Sequence, residues 1–367
     1  MKKLKKCLLL VAIFSMFNIS YTASACTDVM VKAEDGSIII GRSLEFSLDF
    51  HSNIRSSPEG RSFTTVTQNG ASAMSWKAKY GYVYLDGLSI DTVVDGMNEV
   101  GLSFGELLFP GFASYPDIPA GHESQALPYM SFGDWVLGNF KTVSEVRQAL
   151  SNVYPYLNLE PSLGAMTFPV HYIITDASGK GIVVEYNNKK MHIFDSIGIM
   201  TNSPTYDWQT TNLKNYLNLS PLNPSSVAVN GEVFAVTGQG YGMVGIPGDI
   251  SPPSRFVKTA IYAHVALTTK NAVNALNMAE HLMNNVDIPQ GIAREPQSGK
   301  YINDITQWVV FKDLTNKVFY YRTYNDLSLH AVKFSKINLS ENAPRFSMPI
   351  ASLEYVNDVS EQFIKSK

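Results

Sequence analysis

Cysteine is almost missing from this chain, with two residues in 367, Cys7 and Cys26. Cys7 stands in a stretch that reads as a removable leader, so the mature chain has no second thiol for an intrachain disulfide. The shortage also removes every Cys-rich zinc arrangement, and no cluster of His, Cys, Asp and Glu at metal-ligand spacing replaces it. No cofactor or metal is therefore expected. The seven histidines, at 51, 122, 171, 192, 264, 281 and 330, are scattered, and none sits in a cysteine-protease signature. Charged residues are only 17% of the chain, with no basic block of the kind that tracks nucleic acid or an anionic membrane. Low-complexity runs, heptads, fixed-period repeats and Pro/Gly/Ser linkers are all lacking, which leaves residues 26–367 as one domain.

What is present begins with the leader, residues 1–25. It has a basic start (Met1 to Lys6), an apolar stretch from Cys7 to about Phe17, and Ala23-Ser24-Ala25 in the small-x-small pattern cut by signal peptidase. The apolar stretch is too short for a stable membrane helix. Two alternatives stay open: an uncleaved anchor, and a lipoprotein signal that would acylate Cys26. The second prefers a leucine-like residue where Ala23 stands. Cleavage leaves 342 of the 367 residues and, with four leader lysines gone, takes the formal charge from −3 to −7. The expected destination is the periplasm or the exterior, with no membrane attachment of the mature form.

Cleavage also makes Cys26 the first residue. The reactive form of cysteine is the thiolate, and an ordinary thiol near pKa ~8.5 needs a base. A free α-amine near pKa ~7.7 can be that base, taking the thiol proton and later returning one to a leaving nitrogen.

The chain after Cys26 reads as strands in hairpin-linked blocks separated by blocks of helix. Strands are expected at 26–33, 37–42, 81–85, 91–95, 170–175, 181–186, 191–194, 307–311, 317–321 and 328–334, with turns at Asp35-Gly36 and Asp95-Gly96. Helical patterns cover 134–140, 254–267 and 272–285, and Thr142-Val-Ser-Glu145 is a capping box opening another. This order predicts an α+β fold with antiparallel sheets. With a two-residue turn at Asp35-Gly36, Glu45 falls opposite Cys26 and Arg42 opposite Val29. Arg42 then lies on the other face from Cys26, and a bend near Gly41 is needed to bring it back. A surface ion pair between Arg42 and Glu45 is the competing reading. The aromatics at 80–84 and 308–311 read as core, with an apolar pocket as the alternative. The glycine-rich run Thr237 to Gly245 has neither phosphate-loop nor dinucleotide spacing, and reads as a loop near the active site.

Five motifs then resemble one family: Cys26-Thr27, Gly41-Arg42-Ser-Leu-Glu45, Asp95-Gly-Met-Asn98-Glu-Val-Gly-Leu102, Thr201-Asn202-Ser-Pro-Thr-Tyr-Asp-Trp208, and Pro247 through Arg255-Phe256. In this order they are similar to the choloylglycine hydrolases, the bile salt hydrolases and penicillin V acylases among N-terminal-nucleophile hydrolases. The resemblance implies a four-layer αββα sandwich with two antiparallel sheets. It implies Cys26 as nucleophile, Arg42 beside its sulfur, Glu45 beside its amine, Asn202 as an oxyanion donor and Arg255 in the surrounding charge network. The family usually has Asp where Glu45 stands. Leu108 falls where relatives carry Asn or Tyr, a position that gives a backbone N–H to the oxyanion. The implied activity is hydrolysis of a non-peptide C–N amide bond in a conjugated bile salt, penicillin V or an N-acyl homoserine lactone, through an acyl-thioester. Relatives are often homotetramers. The competing function is an exported or lipid-anchored binding protein that keeps the fold without catalysis.

Overall fold

The computed structural model describes residues 25–163, 167–297 and 299–350. The expected leader, apart from Ala25, lies outside these residues. Two large antiparallel sheets face each other. The first runs in the order Ile199–Met200, Cys26–Lys32 (β1), Ile38–Phe46 (β2), Lys300–Asp313, Val318–Thr323 and His330–Lys333, with Ala293–Gln297 also pairing on Lys300–Asp313. The second runs Lys190–Asp195, Gly181–Asn187, Val170–Thr175, Ser103–Leu108, Ile90–Asn98, Tyr82–Gly87, Asn53–Ser57 and Ser347–Pro349. Helices α1 (Phe132–Asn139) and α2 (Val143–Leu150) belong to the layer over the second sheet. A third helix, α3 (Tyr206–Leu213), follows the Ile199–Met200 strand. Helices α4 (Pro252–Val265) and α5 (Ala272–Asn284) cover β1 and β2 of the first. The result is the αββα sandwich, whose inter-sheet core includes Leu44, Leu107 and Val310.

Local chemistry explains several elements. Thr142 accepts the Glu145 N–H at 3.2 Å, and Glu145 reaches back to the Lys141 N–H at 2.9 Å, so both ends of the box are used. Val143, Val146 and Leu150 form the buried stripe of that helix. Tyr82, Tyr84, Trp308 and Phe311 are buried, as the core reading expects.

Two expectations about turns are corrected. Asp95-Gly96 is mid-strand, and the chain turns instead at Asn98–Gly101, where Gly101 has φ +88°. Gly96 serves close packing: a Cβ there would lie 2.8 Å from the Val83 carbonyl oxygen and 2.9 Å from Leu137. The first hairpin has three loop residues, Glu34, Asp35 and Gly36, because Ala33 N–H bonds to Ser37 C=O and Gly36 takes φ +87°. That single extra residue shifts the register, so that Cys26 pairs with Leu44 and Asp28 with Arg42. Arg42 therefore shares a face with Cys26 without any bend, while Glu45 falls on the other face. Gly41 pairs regularly with Val29 and has no room for a side chain, since a Cβ would meet Met283 at 3.1 Å. The irregularity lies in the neighbouring strand, between Thr306 and Trp308, opposite Leu44 and Glu45. There the Gln307 side chain accepts from the Phe50 N–H at 2.8 Å and donates to the Phe46 carbonyl at 2.9 Å. The bulge thus secures the exit of β2.

Candidate active site

Cys26 begins the strand β1 and is 2% exposed. On its inter-sheet side, Arg42 Nη2 lies 3.8 Å from Cys26 Sγ and also donates to the Glu106 carbonyl of the second sheet. Arg42 Nε is 3.7 Å from Asp95, its guanidinium lies 4.8 Å from the Trp308 ring centroid, and Lys312 Nζ reaches Asp95 at 2.8 Å. Asp28 completes this buried group directly across from Arg42, with neither carboxylate oxygen hydrogen-bonded among the described residues.

The backbone side is built by other elements. Ile199–Met200 pairs with β1 through Asp28↔Met200, so continuing that register brings Asn202 opposite Cys26. Asn202 Oδ1 accepts the Cys26 N–H at 2.6 Å and Arg255 Nη2 at 2.9 Å, while Nδ2 donates to the Leu108 carbonyl at 2.9 Å. The guanidinium can only donate and the carbonyl only accept, which fixes the amide orientation and leaves one Nδ2 hydrogen uncommitted. A residue's N–H and C=O leave a strand on the same edge, so Leu108 N–H points to the Asn202 side as well.

Arg255 lies in the first turn of α4, behind Pro252-Pro253, and is fully buried against β1. It donates from Nη1 to the Cys26 carbonyl and Thr27 Oγ1 and from Nε to the Ile250 carbonyl at 3.0 Å. A place for Arg255 at the surface is excluded. Glu45 is buried, accepting from Thr306 Oγ1 at 3.0 Å, and the Cys26 N–H points to Asn202 and not to Glu45. The surface ion pair between Arg42 and Glu45 is likewise excluded, since both are 0% exposed.

Burial pushes the Cys26 thiol up; Arg42 and, more weakly, Arg255 pull it down, with Glu45 opposing them. Glu45 is raised to about 7 by burial, against the pull of Arg255. Burial likewise raises Asp28 to about 7, with Lys312 resisting and Asp95 reinforcing.

A pocket opens at Cys26 between the sheets. Its lining is mainly apolar, from Leu44, Phe46 and Phe50 on one side to Ile90, Met130 and Phe168 on the other, with Glu106 as an ionisable exception remote from β1 in sequence. The glycine-rich run at 237–245 is not part of this lining and is largely exposed. Sequence reasoning also passed over Asp28, Lys312 and Glu106. Their signal was a charge at an otherwise apolar position of a strand.

The arrangement combines a thiol, a cation beside it, a held backbone nitrogen and two donors on one side of an apolar cleft. This is a constellation for acyl transfer. Residues 26–353 match the family described as linear amide C–N hydrolases, choloylglycine hydrolase family. The bile salt hydrolase/transferase of Clostridium perfringens is 32% identical over 322 residues, covering 86% of this chain and 94% of that protein. The crystal structure of a variant of conjugated bile acid hydrolase from Clostridium perfringens superposes with a TM-score of 0.77 at 30% identity, over 90% of this chain and all of that one. Penicillin V acylase from Agrobacterium tumefaciens has the same fold, with a TM-score of 0.72 at 24% identity, covering 89% of this chain and 92% of that one. The chain belongs to the choloylglycine hydrolase family and is a linear amide C–N hydrolase.

Proposed function

We propose that this is an exported amidase in which removal of residues 1–25 frees Cys26 as an N-terminal nucleophile, with conjugated bile salts as substrates. The observation that carries the reading is the two-sided hold on one residue: Arg42 at 3.8 Å from the sulfur and Asn202 at 2.6 Å from the nitrogen. In the processed chain that nitrogen is an amine, and it takes the thiol proton while Arg42 steadies the thiolate. Sulfur attacks the substrate carbonyl. The resulting oxyanion meets the free Nδ2 hydrogen of Asn202 and the Leu108 N–H, each such donor being worth about 2.7–4 kcal/mol in the transition state. The amine returns its proton to the leaving nitrogen, the C–N bond breaks and an acyl-thioester remains on Cys26. Water, deprotonated by the same amine, releases the acid.

Glu45 acts from behind the strand, as a counter-charge that offsets part of the burial of Arg255. The apolar cleft suits a steroid acyl group, and the bile salt hydrolases among the relatives favour it over penicillin V or an acyl homoserine lactone. Exposed apolar side chains at Leu222, Val227, Val233, Phe234 and Val244 support a homo-oligomer. A monomer by light scattering at micromolar concentration overturns that part.

Two measurements test the core reading. Intact mass of the mature protein should begin at unmodified Cys26, and a lipidated cysteine favours the anchored binding protein instead. Cys26→Ala should lower released amine by at least about a thousandfold, since it removes the covalent step. Retention of full hydrolysis rejects the mechanism.

A further inference from the structure

Glu106 belongs to the strand Ser103–Leu108, whose alternate residues Phe104, Glu106 and Leu108 share one face. Phe104 on that face is fully buried against Phe132 and Tyr172. Glu106 stands one step further along, where an apolar residue would continue the pattern. The strand Ile90–Asn98 pairs with this one only through Asp95, Gly96 and Met97. Beyond that ladder Ile90, Thr92 and Val94 line one side of the pocket and Glu106 and Leu108 the other, so the cleft that starts at Cys26 enters the gap between the two strands.

The Glu106 side chain has no hydrogen-bond or ion-pair partner among the described residues. Its backbone carbonyl is held by Arg42, which fixes where the side chain starts. Around it stand Tyr172, its cross-strand neighbour, and Tyr129, which lines the same pocket. Each phenol has a partner of its own: Tyr172 Oη lies 3.5 Å from Tyr115 Oη, and Tyr129 Oη accepts the Phe168 N–H at 3.2 Å. Burial raises the Glu106 carboxyl to about 8, against the pull of Arg42, so it is largely neutral near pH 7 and can both donate and accept. Glu106 is half-buried in the pocket wall, so a ligand that fills the pocket covers its carboxyl and must supply the hydrogen-bond partner that water otherwise supplies.

We propose that Glu106 is a specificity-determining residue that hydrogen-bonds a hydroxyl group on the apolar acyl part of the substrate. The inference rests on the amidase reading above and deepens it. A hydroxyl offers one donor and one acceptor, the complement of a carboxylic acid, and brings no charge into a lining that is mainly apolar. An acyl group without that hydroxyl leaves the carboxyl dry and unpaired.

The test compares substrates that differ by one hydroxyl, each scored by released amine. The pairs are taurocholate with taurodeoxycholate and with taurochenodeoxycholate, N-(3-hydroxyoctanoyl)- with N-octanoyl-homoserine lactone, and para-hydroxyphenoxymethyl penicillin with penicillin V. At least one pair should favour the hydroxylated member in kcat/KM by about tenfold or more. Glu106→Gln, whose amide also donates and accepts, should keep most of that ratio, and Glu106→Leu should collapse it. Thermal midpoints separate this from misfolding, since a destabilised protein loses rate on both members alike. A ratio that stays within twofold of wild type in Glu106→Leu overturns the proposal. Release of no amine from any pair overturns the amidase reading itself, and the proposal with it.

Discussion

The two sides of β1 at Cys26 are built differently. On the side facing α4, Asn202, Arg255, Thr27 and the Cys26 backbone form a closed set of hydrogen bonds, with Arg255 donating from all three of its nitrogens. On the inter-sheet side, among the described residues, Asp28 has no hydrogen bond on either oxygen and Arg42 none on Nε or Nη1, although charges surround both. The closed side fixes atoms in position, which preorganised donors require. The open side supplies field without fixed contacts, and it sits where substrate and thiol must move. Geometry is therefore invested on one face and charge on the other.

Breaking the closed side should have the largest effect. Arg255→Met removes four bonds and leaves Glu45 without its main counter-charge, so stability should fall by about 3–5 kcal/mol. Urea midpoints check this, and a loss under about 1 kcal/mol would show that the closed set is not structural. Asn202→Asp keeps the oxygen that receives the Cys26 nitrogen and Arg255 but loses the donor. It should cut kcat about a hundred- to a thousandfold with KM little moved. An equal rise in KM would instead place Asn202 in substrate binding.

The open side should respond to pH more than to contact loss. Asp28 ionises near pH 4 in the unfolded chain but only at about 7 in the fold. The folded state thus holds an extra proton between those values, and stability declines as pH rises through the window, by an amount on the order of 4 kcal/mol. Asp28→Asn removes that decline. Glu45 and Glu106 titrate in both proteins and cancel in the difference. Thermal midpoints at pH 4, 6 and 8 should show the variant gaining on wild type as pH rises, and parallel curves would mean that Asp28 ionises in the fold as it does in the unfolded chain.

How much of this was legible depended on distance along the chain. The capping box at Thr142, the helices α4 and α5 and the αββα class follow from local pattern and motif order. The faces of β1 and β2 did not, because they hang on one residue: reading Asp35-Gly36 as a two-residue turn puts Arg42 on the far face, and the actual three-residue loop puts it beside Cys26. Glu106, Lys312 and Asp95 meet only when the two sheets stack, from positions far apart in sequence. No local window contains that information. The place of Arg255 is equally non-local, since burial of a helix start is decided by what α4 lies against.

That dependence on one turn yields the smallest effect and a sharp check. Gly36 has φ +87°, and a Cβ there would meet nothing within 4 Å, so Gly36→Ala carries backbone strain and no clash. It should cost about 1 kcal/mol. Seven ladder pairs from Cys26↔Leu44 to Lys32↔Ile38 then hold the register without help from the turn, and both faces of β1 stay as they are. Amide hydrolysis should accordingly match wild type at a temperature where both are folded. A loss approaching that of Asn202→Asp would mean that the turn, and not the ladder, sets which side chains stand beside the thiol.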